Sequence, residues 1–206
     1  RKERVGTRVS DIADPCLRRV VFSQVMPKPF NSETAAIFVI GEGQDYVMKR
    51  LLALIGGDAE YEVRTPYGLI GHPDSMVGNV PHEIKTSRSR RREITERAKN
   101  QLRYYMAGVN STVGVLLVLW QVKVWTKTEV KPVSIQSFRL HMTKKELEST
   151  KKEAEKRTKA LQRALAAKDP STAPCVKFDK DLKVECHWCP WTRECKDLDG
   201  GLEWVK

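Results

Sequence analysis

Cys186, Cys189 and Cys195 form a CxxCxxxxxC run near one end of the sequence, and Cys16 lies near the other. If the distant cysteine joins the run at one metal centre, both ends are tied together and everything between them becomes a closed loop. In the chain-entropy treatment of cross-links, closing a loop of about 170 residues removes about 4–5 kcal/mol of unfolded-state entropy. The spacing leaves three chemistries open, besides thiols that ligate nothing. Iron–sulfur ligation by four cysteines tolerates irregular spacing, whereas zinc held by four thiolates more often uses two CxxC pairs. Disulfides rank last, because nothing in the sequence marks a secreted chain. The fifth cysteine, Cys175, has no partner in this pattern and reads as a buried or incidental thiol.

At 206 residues with 40% hydrophobic content the chain can bury a real core and is expected to form one domain. Its formal net charge of +11 points to a polyanionic partner, and charge alone does not separate DNA, RNA and anionic lipid. The longest apolar run, 113–120, is strand-sized, so a soluble protein with no membrane association is expected.

Helices and strands alternate along the chain. Ser10 is a candidate N-cap for a short turn ending at Ile12, and a mixed basic and apolar segment follows over 17–25. Ser32 can cap a long helix over 32–55, which Gly56 and Gly57 would end. The period then shortens: 68–77 and 80–86 read as two strands joined at Gly78-Asn79, a tight hairpin signal. A helix is predicted over 91–107, strands over 113–124 and 133–140, and a long charged helix over 143–168. Thr143 and Glu146 stand at capping-box positions of that last helix, whose apolar stripe of Leu147, Ala154, Leu161 and Leu165 is thin. The order fits an α/β fold with a mixed central sheet flanked by helices.

The chemistry lies in the hairpin. Gly71-His72-Pro73-Asp74 falls on its first strand and Glu83-Ile84-Lys85 on its second. Residues two apart on a strand share a face, so Glu83 and Lys85 point one way while His82 and Ile84 point the other. The turn at Gly78-Asn79 would bring Asp74 and Glu83 opposite each other. Two carboxylates can hold magnesium or manganese, hard cations that prefer oxygen ligands, and an adjacent ammonium can stabilise negative charge on a phosphate. An ordinary salt bridge on a solvated sheet face is the alternative reading of the same tripeptide. On the following helix Gln101 and Tyr105 are one turn apart on one face. The basic stretch 85–92 reads either as a solvated charge run or as a clamp for backbone phosphates. Trp188, Trp191 and Trp204 offer stacking surfaces for bases, with packing of the C-terminal segment the simpler role.

Asp74, the Glu83-Ile84-Lys85 triplet, Gln101 with Tyr105, and Cys16 followed by the CxxCxxxxxC run together resemble the motifs of RecB-like nucleases of the PD-(D/E)xK superfamily, in their iron–sulfur branch. In size and layout the chain is similar to the CRISPR-associated exonuclease family, fourth in the Cas series. The resemblance implies a restriction-endonuclease-like α/β core over 32–169, with 1–31 and 170–206 joined by the cluster. It implies Asp74, Glu83 and the backbone carbonyl of Ile84 as metal ligands, Lys85 as the catalytic lysine, and Gln101 and Tyr105 as the conserved polar pair. Cys16, Cys186, Cys189 and Cys195 would then ligate an iron–sulfur cluster, most commonly 4Fe-4S, in a structural role. The implied activity is metal-dependent exonucleolytic cleavage, usually of single-stranded DNA. It would act in the cytoplasm and process spacer precursors alongside the integrase proteins Cas-one and Cas-two. A viral or phage exonuclease of the same fold, or a catalytically weakened DNA-binding subunit, are the other expectations; a zinc-stapled RNA-binding protein ranks behind both.

One motif departs from the family. Its members usually carry a metal-binding histidine on the helix before the sheet, four residues after a glycine, and this helix has none. Counting from Gly41 the slot falls on Asp45, with Gln44 beside it. A carboxylate can replace imidazole on magnesium or manganese, whereas an amide would weaken the site. His72, two residues before Asp74, is a further substitute.

Overall fold

A computed structural model describes residues 6–29, 32–59, 61–87, 93–120, 134–175, 186 and 189–198. Two small sheets stand where one is predicted. In the first, β1 (Thr7–Arg8) runs parallel to β3 (Leu69–Gly71), which pairs antiparallel with β2 (Val63–Arg64). The second has the order β4-β5-β6-β7. Its β4 (Ser75–Val77) and β5 (Val80–Ser87) form the hairpin, β6 (Val113–Trp120) lies parallel to β5, and β7 (Ser134–His141) closes antiparallel to β6. Both sheets mix parallel and antiparallel pairing, and the predicted hairpin and later strands lie in the second.

The predicted strand 68–77 is broken. Leu69–Gly71 pairs in one sheet and Ser75–Val77 in the other, with His72-Pro73-Asp74 between them. Proline has no amide hydrogen to give to a ladder, so a strand continuing through Pro73 would leave an acceptor unpaired. The Gly78-Asn79 turn is present as predicted, with Gly78 at φ 58°.

Helices begin and end where side chains or carbonyls can satisfy free backbone groups. The helix α1 (Val9–Ile12) starts after Arg8 rather than at Ser10, and α2 (Leu17–Val25) follows. Next, α3 (Ser32–Ala53) ends two residues before the predicted position, where the Gly57 amide donates to the Leu52 carbonyl at 3.0 Å. The helix α4 (Glu96–Gly108) starts later than predicted because Thr95 caps it, its hydroxyl accepting from the Ala98 amide at 3.3 Å. The capping box predicted for α5 (Lys144–Ala167) is formed: Thr143 Oγ1 accepts from the Glu146 amide and the Glu146 carboxylate accepts from the Thr143 amide. A short helix α6 (Thr192–Leu198) carries Cys195.

Crossing from β5 to the parallel β6, α4 lays Leu102 and Met106 against Leu116, Val118 and Trp120 of the sheet and Leu147 of α5. A second core gathers Val9 and Ile12 of α1, Leu17 and Val21 of α2, Tyr104 and Tyr105 of α4, and Ala154, Leu161 and Ala164 of α5. The N-terminal segment is sewn to the C-terminal half by hydrogen bonds. Arg157 donates to the carbonyls of Ile12, at 2.8 Å, and of Asp14, and the Arg18 amide donates to the Pro174 carbonyl at 3.1 Å. Among the described residues no helix is long and apolar enough to cross a membrane.

Gly71 lets these pieces meet. A Cβ there would stand 2.5 Å from Val9 Cγ2 and 2.7 Å from Tyr105 Cε1, both on buried residues. Gly71→Ala is expected to destabilise the protein by about 1–3 kcal/mol, the range for overpacking a core. The shift in urea unfolding midpoint measures it, and a midpoint equal to wild type would show that α1 and α4 can part there freely.

Candidate active site

The break before β4 places Asp74 beside the second strand of the hairpin. Ser75 pairs with His82, and one step beyond that last pair Asp74 Oδ2 accepts from the Ile84 amide at 2.6 Å. A carboxylate has thus replaced the backbone carbonyl that would have continued the ladder. Alternation along β5 then sorts its side chains as predicted. Ile84 packs with Met48 and Leu52 of α3, and Glu83 takes the other face, where the Lys85 ammonium donates to its Oε1. The ordinary ion pair anticipated for this tripeptide therefore exists, but not on a solvated face: Glu83 is 1% exposed.

Gln101 and Tyr105 meet as their helical spacing predicts, Gln101 Nε2 donating to the Tyr105 hydroxyl at 3.3 Å. That hydroxyl donates in turn to the His72 carbonyl at 2.8 Å. The pair thus anchors the backbone of the strand break two residues before Asp74. An open cavity of about 450 Å³ borders Gln101 and Tyr105, with Arg8, Ser10, Glu62, Arg64 and His72 also on its walls.

The candidates for the missing histidine separate. His72 is 59% exposed and its Nε2 stands 3.2 Å from Glu62. The Gln44 amide oxygen is buried without a hydrogen-bond partner among the described residues. Asp45 bonds the Lys49 ammonium one helical turn on, at 2.8 Å, and the same ammonium reaches Asp74 Oδ1 at 3.4 Å. Lys49 is a member of the site that the motif reading missed. The i, i+4 spacing of Asp45 and Lys49 was the signal that could have found it.

Burial governs the electrostatics. Desolvation raises the Asp74 pKa above the usual carboxylate range; the Ile84 amide and the Lys85 and Lys49 ammoniums oppose it, and the Asp45 charge adds to it. Burial pushes Glu83 up to about 8, with the Lys85 ammonium opposing and Asp74 and Asp45 reinforcing the rise. Burial, then the Glu83 charge, raises Tyr105 as well, so it serves as a phenol donor and not as a base. Glu83 Oε2 is buried and has no hydrogen-bond partner among the described residues. An orphaned buried carboxylate oxygen beside a second carboxylate suits a hard divalent cation, and the all-oxygen donor set of Asp74, Glu83 and the Ile84 carbonyl fits magnesium or manganese. Among the described residues no three His, Cys, Asp or Glu side chains already stand at ion-holding positions.

The cysteines meet in two packed groups. Cys16 packs with Cys186, and Cys195 packs with Phe22 and Trp191, with Cys189 against that second group. Cys175, predicted to be incidental, lies against both, its Sγ 4.0 Å from Cys16 Sγ. Arg18, buried in α2, donates to Cys195 Sγ at 3.4 Å. Burial and the neighbouring Cys16, Cys189 and Cys195 sulfurs push the Cys186 thiol up to about 11. Trp191 stacks on Phe22 with centroids 6.3 Å apart and donates to the Met26 carbonyl, which is the packing role predicted for it. Trp188, Trp204 and the basic residues 88–92 lie outside the described residues.

No protein-family model matches the chain, and no curated protein matches it. Solved structures do. The crystal structure of SSO0001 aligns with a TM-score of 0.60 at 16% identity, covering 100% of this chain and 90% of that one. The alkaline exonuclease LHK-Exo from Laribacter hongkongensis aligns with a TM-score of 0.53 at 14% identity, covering 79% and 88%, and a structure of LHK-Exo in complex with dAMP matches too. A phage-related exonuclease from Haemophilus somnus aligns with a TM-score of 0.50 at 10% identity, covering 80% and 97%. The fold is thus similar to that of solved alkaline and phage-related exonucleases.

Glu83 makes stability depend on pH. Its pKa is raised on folding from an ordinary 4.5 to about 8, so between these values the native state binds more protons than the unfolded one, and stability falls as pH rises. With chelator present, Glu83→Gln should therefore raise Tm at pH 9 by about 3 °C or more, with the gain vanishing toward pH 4.5. Thermal denaturation across that range checks the sign; an equal effect at both ends would mean that the carboxyl is not desolvated.

Proposed function

We propose that the chain is a divalent-metal-dependent DNA exonuclease acting on single-stranded DNA. The observation that carries the reading is the desolvated pair Asp74 and Glu83, one oxygen of it orphaned, beside the Lys85 ammonium on an exonuclease-like fold. Asp74, Glu83 and the Ile84 carbonyl would hold magnesium or manganese, which supplies an activated water and neutralises charge on the scissile phosphate. Lys85, hydrogen-bonded to Glu83 yet partly exposed, orients the attacking water and stabilises negative charge developing on the phosphate. Tyr105 and Gln101 hold the His72 carbonyl and so fix the backbone that carries Asp74. The net charge of +11 favours a polyanionic substrate, and the cavity beside Gln101 offers a strand a wall with Arg8 and Arg64. The neighbour solved with dAMP supports a nucleic-acid reading.

Cys16, Cys186, Cys189 and Cys195 are proposed to hold a 4Fe-4S cluster that joins residues 1–31 and 170–206 around the 32–169 core in one domain. Three of these thiols are buried, and the buried Arg18 guanidinium beside Cys195 would offset the negative charge of a thiolate-ligated cluster. The cysteine pattern supports a role in CRISPR spacer acquisition with the integrase proteins, in the cytoplasm. The fold likeness to a phage-related exonuclease supports a second setting, viral recombination or replication. Two desolvated carboxylates speak against a DNA-binding subunit without catalysis, because a surface that only binds DNA has no need of acidic groups beside it.

Asp74→Asn and Lys85→Ala should each lower manganese-dependent degradation of single-stranded DNA by at least about a hundredfold while circular dichroism stays unchanged. Unaltered cleavage would place the chemistry elsewhere. Anaerobically purified protein should carry iron rather than zinc and absorb as an iron–sulfur protein. Cys189→Ser should lose the iron and the colour; a colourless, iron-free wild type would end the cluster reading and leave the nuclease reading standing.

A further inference from the structure

The Lys49 ammonium stands between Asp45 and Asp74, 2.8 Å from one carboxylate and 3.4 Å from the other. Asp45 and Lys49 are one turn apart on α3, whereas Asp74 comes from the strand break, so the ammonium joins two elements at the edge of the buried pair. The Asp45 charge also reaches Glu83, whose Oε2 is buried and has no hydrogen-bond partner among the described residues. These carboxylates therefore surround a cation the chain itself supplies.

We infer that Lys49 is the resident counter-cation of this site: its ammonium bridges Asp45 and Asp74 in the ion-free protein, and a divalent ion enters by displacing it and takes Asp45 as an additional oxygen ligand. This deepens the reading above and rests on it in one respect, that the carboxylates receive a divalent ion. Asp45 offers an oxygen donor, and oxygen ligands suit magnesium and manganese. A divalent ion and an ammonium cannot share the space between the same carboxylates without repulsion. Lys49 is about a third exposed on a flexible four-carbon stem, so it can swing to solvent when the ion enters.

Manganese binding to the full-length chain, followed by calorimetry without DNA, tests this. Lys49→Met removes the competing charge and should tighten manganese binding by roughly tenfold, about 1.4 kcal/mol. The same variant should melt lower than wild type in chelator, because Asp45 and Asp74 then face each other uncompensated, and should gain more in Tm on adding manganese. Asp45→Asn should weaken binding by a similar factor. If Lys49 were merely structural, its loss would lower Tm without tightening the ion, and that result, or an Asp45→Asn protein binding at least as well as wild type, overturns the inference. Asp74→Asn separates the two levels: if it loses manganese while Lys49→Met binds like wild type, only the role of Lys49 falls. If Asp74→Asn binds manganese like wild type, the ion site itself is elsewhere and the inference falls with it.

Discussion

The hydrogen bond from the Ile84 amide to the Asp74 carboxylate is the constraint on which the site depends. It ends the pairing of β4 with β5 without leaving a buried donor unsatisfied, and it does so with a charged acceptor. The acid is therefore set beside Glu83 by the backbone of the neighbouring strand and not by a rotamer of its own choosing. The Tyr105 hydroxyl holds the opposite end of the break through the His72 carbonyl. Pro73, fully buried between these anchors, cannot donate to a competing ladder. Sheet, break and helix thus converge on three consecutive residues, and Gly71 supplies the close approach that lets α1 and α4 reach them.

That geometry is costly in the absence of an ion. Taking carboxylates out of water penalises their charged forms, and two or three of them together penalise one another. The upward shifts at Asp74 and Glu83 record the strain, and the Lys85 and Lys49 ammoniums relieve part of it. The relief is incomplete, since one Glu83 oxygen has no partner among the described residues. A site built in this way has a cation as its natural complement. An apolar replacement of the whole group would make an easier protein to fold, which is why a buried ionic cluster is weak evidence of stability and better evidence of a binding role.

Much of this was legible in the sequence because it is local. The Gly78-Asn79 turn, the alternation through Glu83-Ile84-Lys85, the Thr143 and Glu146 box and the one-turn spacing of Gln101 and Tyr105 are all short-range rules, and each is observed. The misreadings have equally local causes. Residues 68–77 alternate well enough to look like one strand, but Pro73 has no amide hydrogen to give to a ladder. The helical pattern read from residue 91 runs through basic residues, but Thr95 is the better cap and α4 starts after it. The rest depends on distant contacts: no spacing rule brings Cys175 beside Cys16, or Lys49 beside Asp74. The fold itself, shared with exonucleases at very low identity, emerged from the order of motifs more than from composition.

The cysteines bear on this differently from the way a simple staple would. Between the N-terminal segment and the C-terminal half the described residues already show Arg157 on the Ile12 carbonyl, Arg18 on Pro174, Lys28 on Glu194 at 2.7 Å, and Trp191 stacked on Phe22. The first two ties belong to the core around α1, α2 and α5, and hold whether or not the thiols are ligated. The last two hold the segment with Cys189 and Cys195, which has a thinner core of its own. In global unfolding these ties are lost and the full span between Cys16 and Cys186 counts; in local opening of the C-terminal segment the tie at Pro174 persists, and a cluster would then close only a short loop. A cluster there would order the C-terminal segment against α2, while Asp74 and Glu83 depend on the β4-β5 hairpin and on Tyr105.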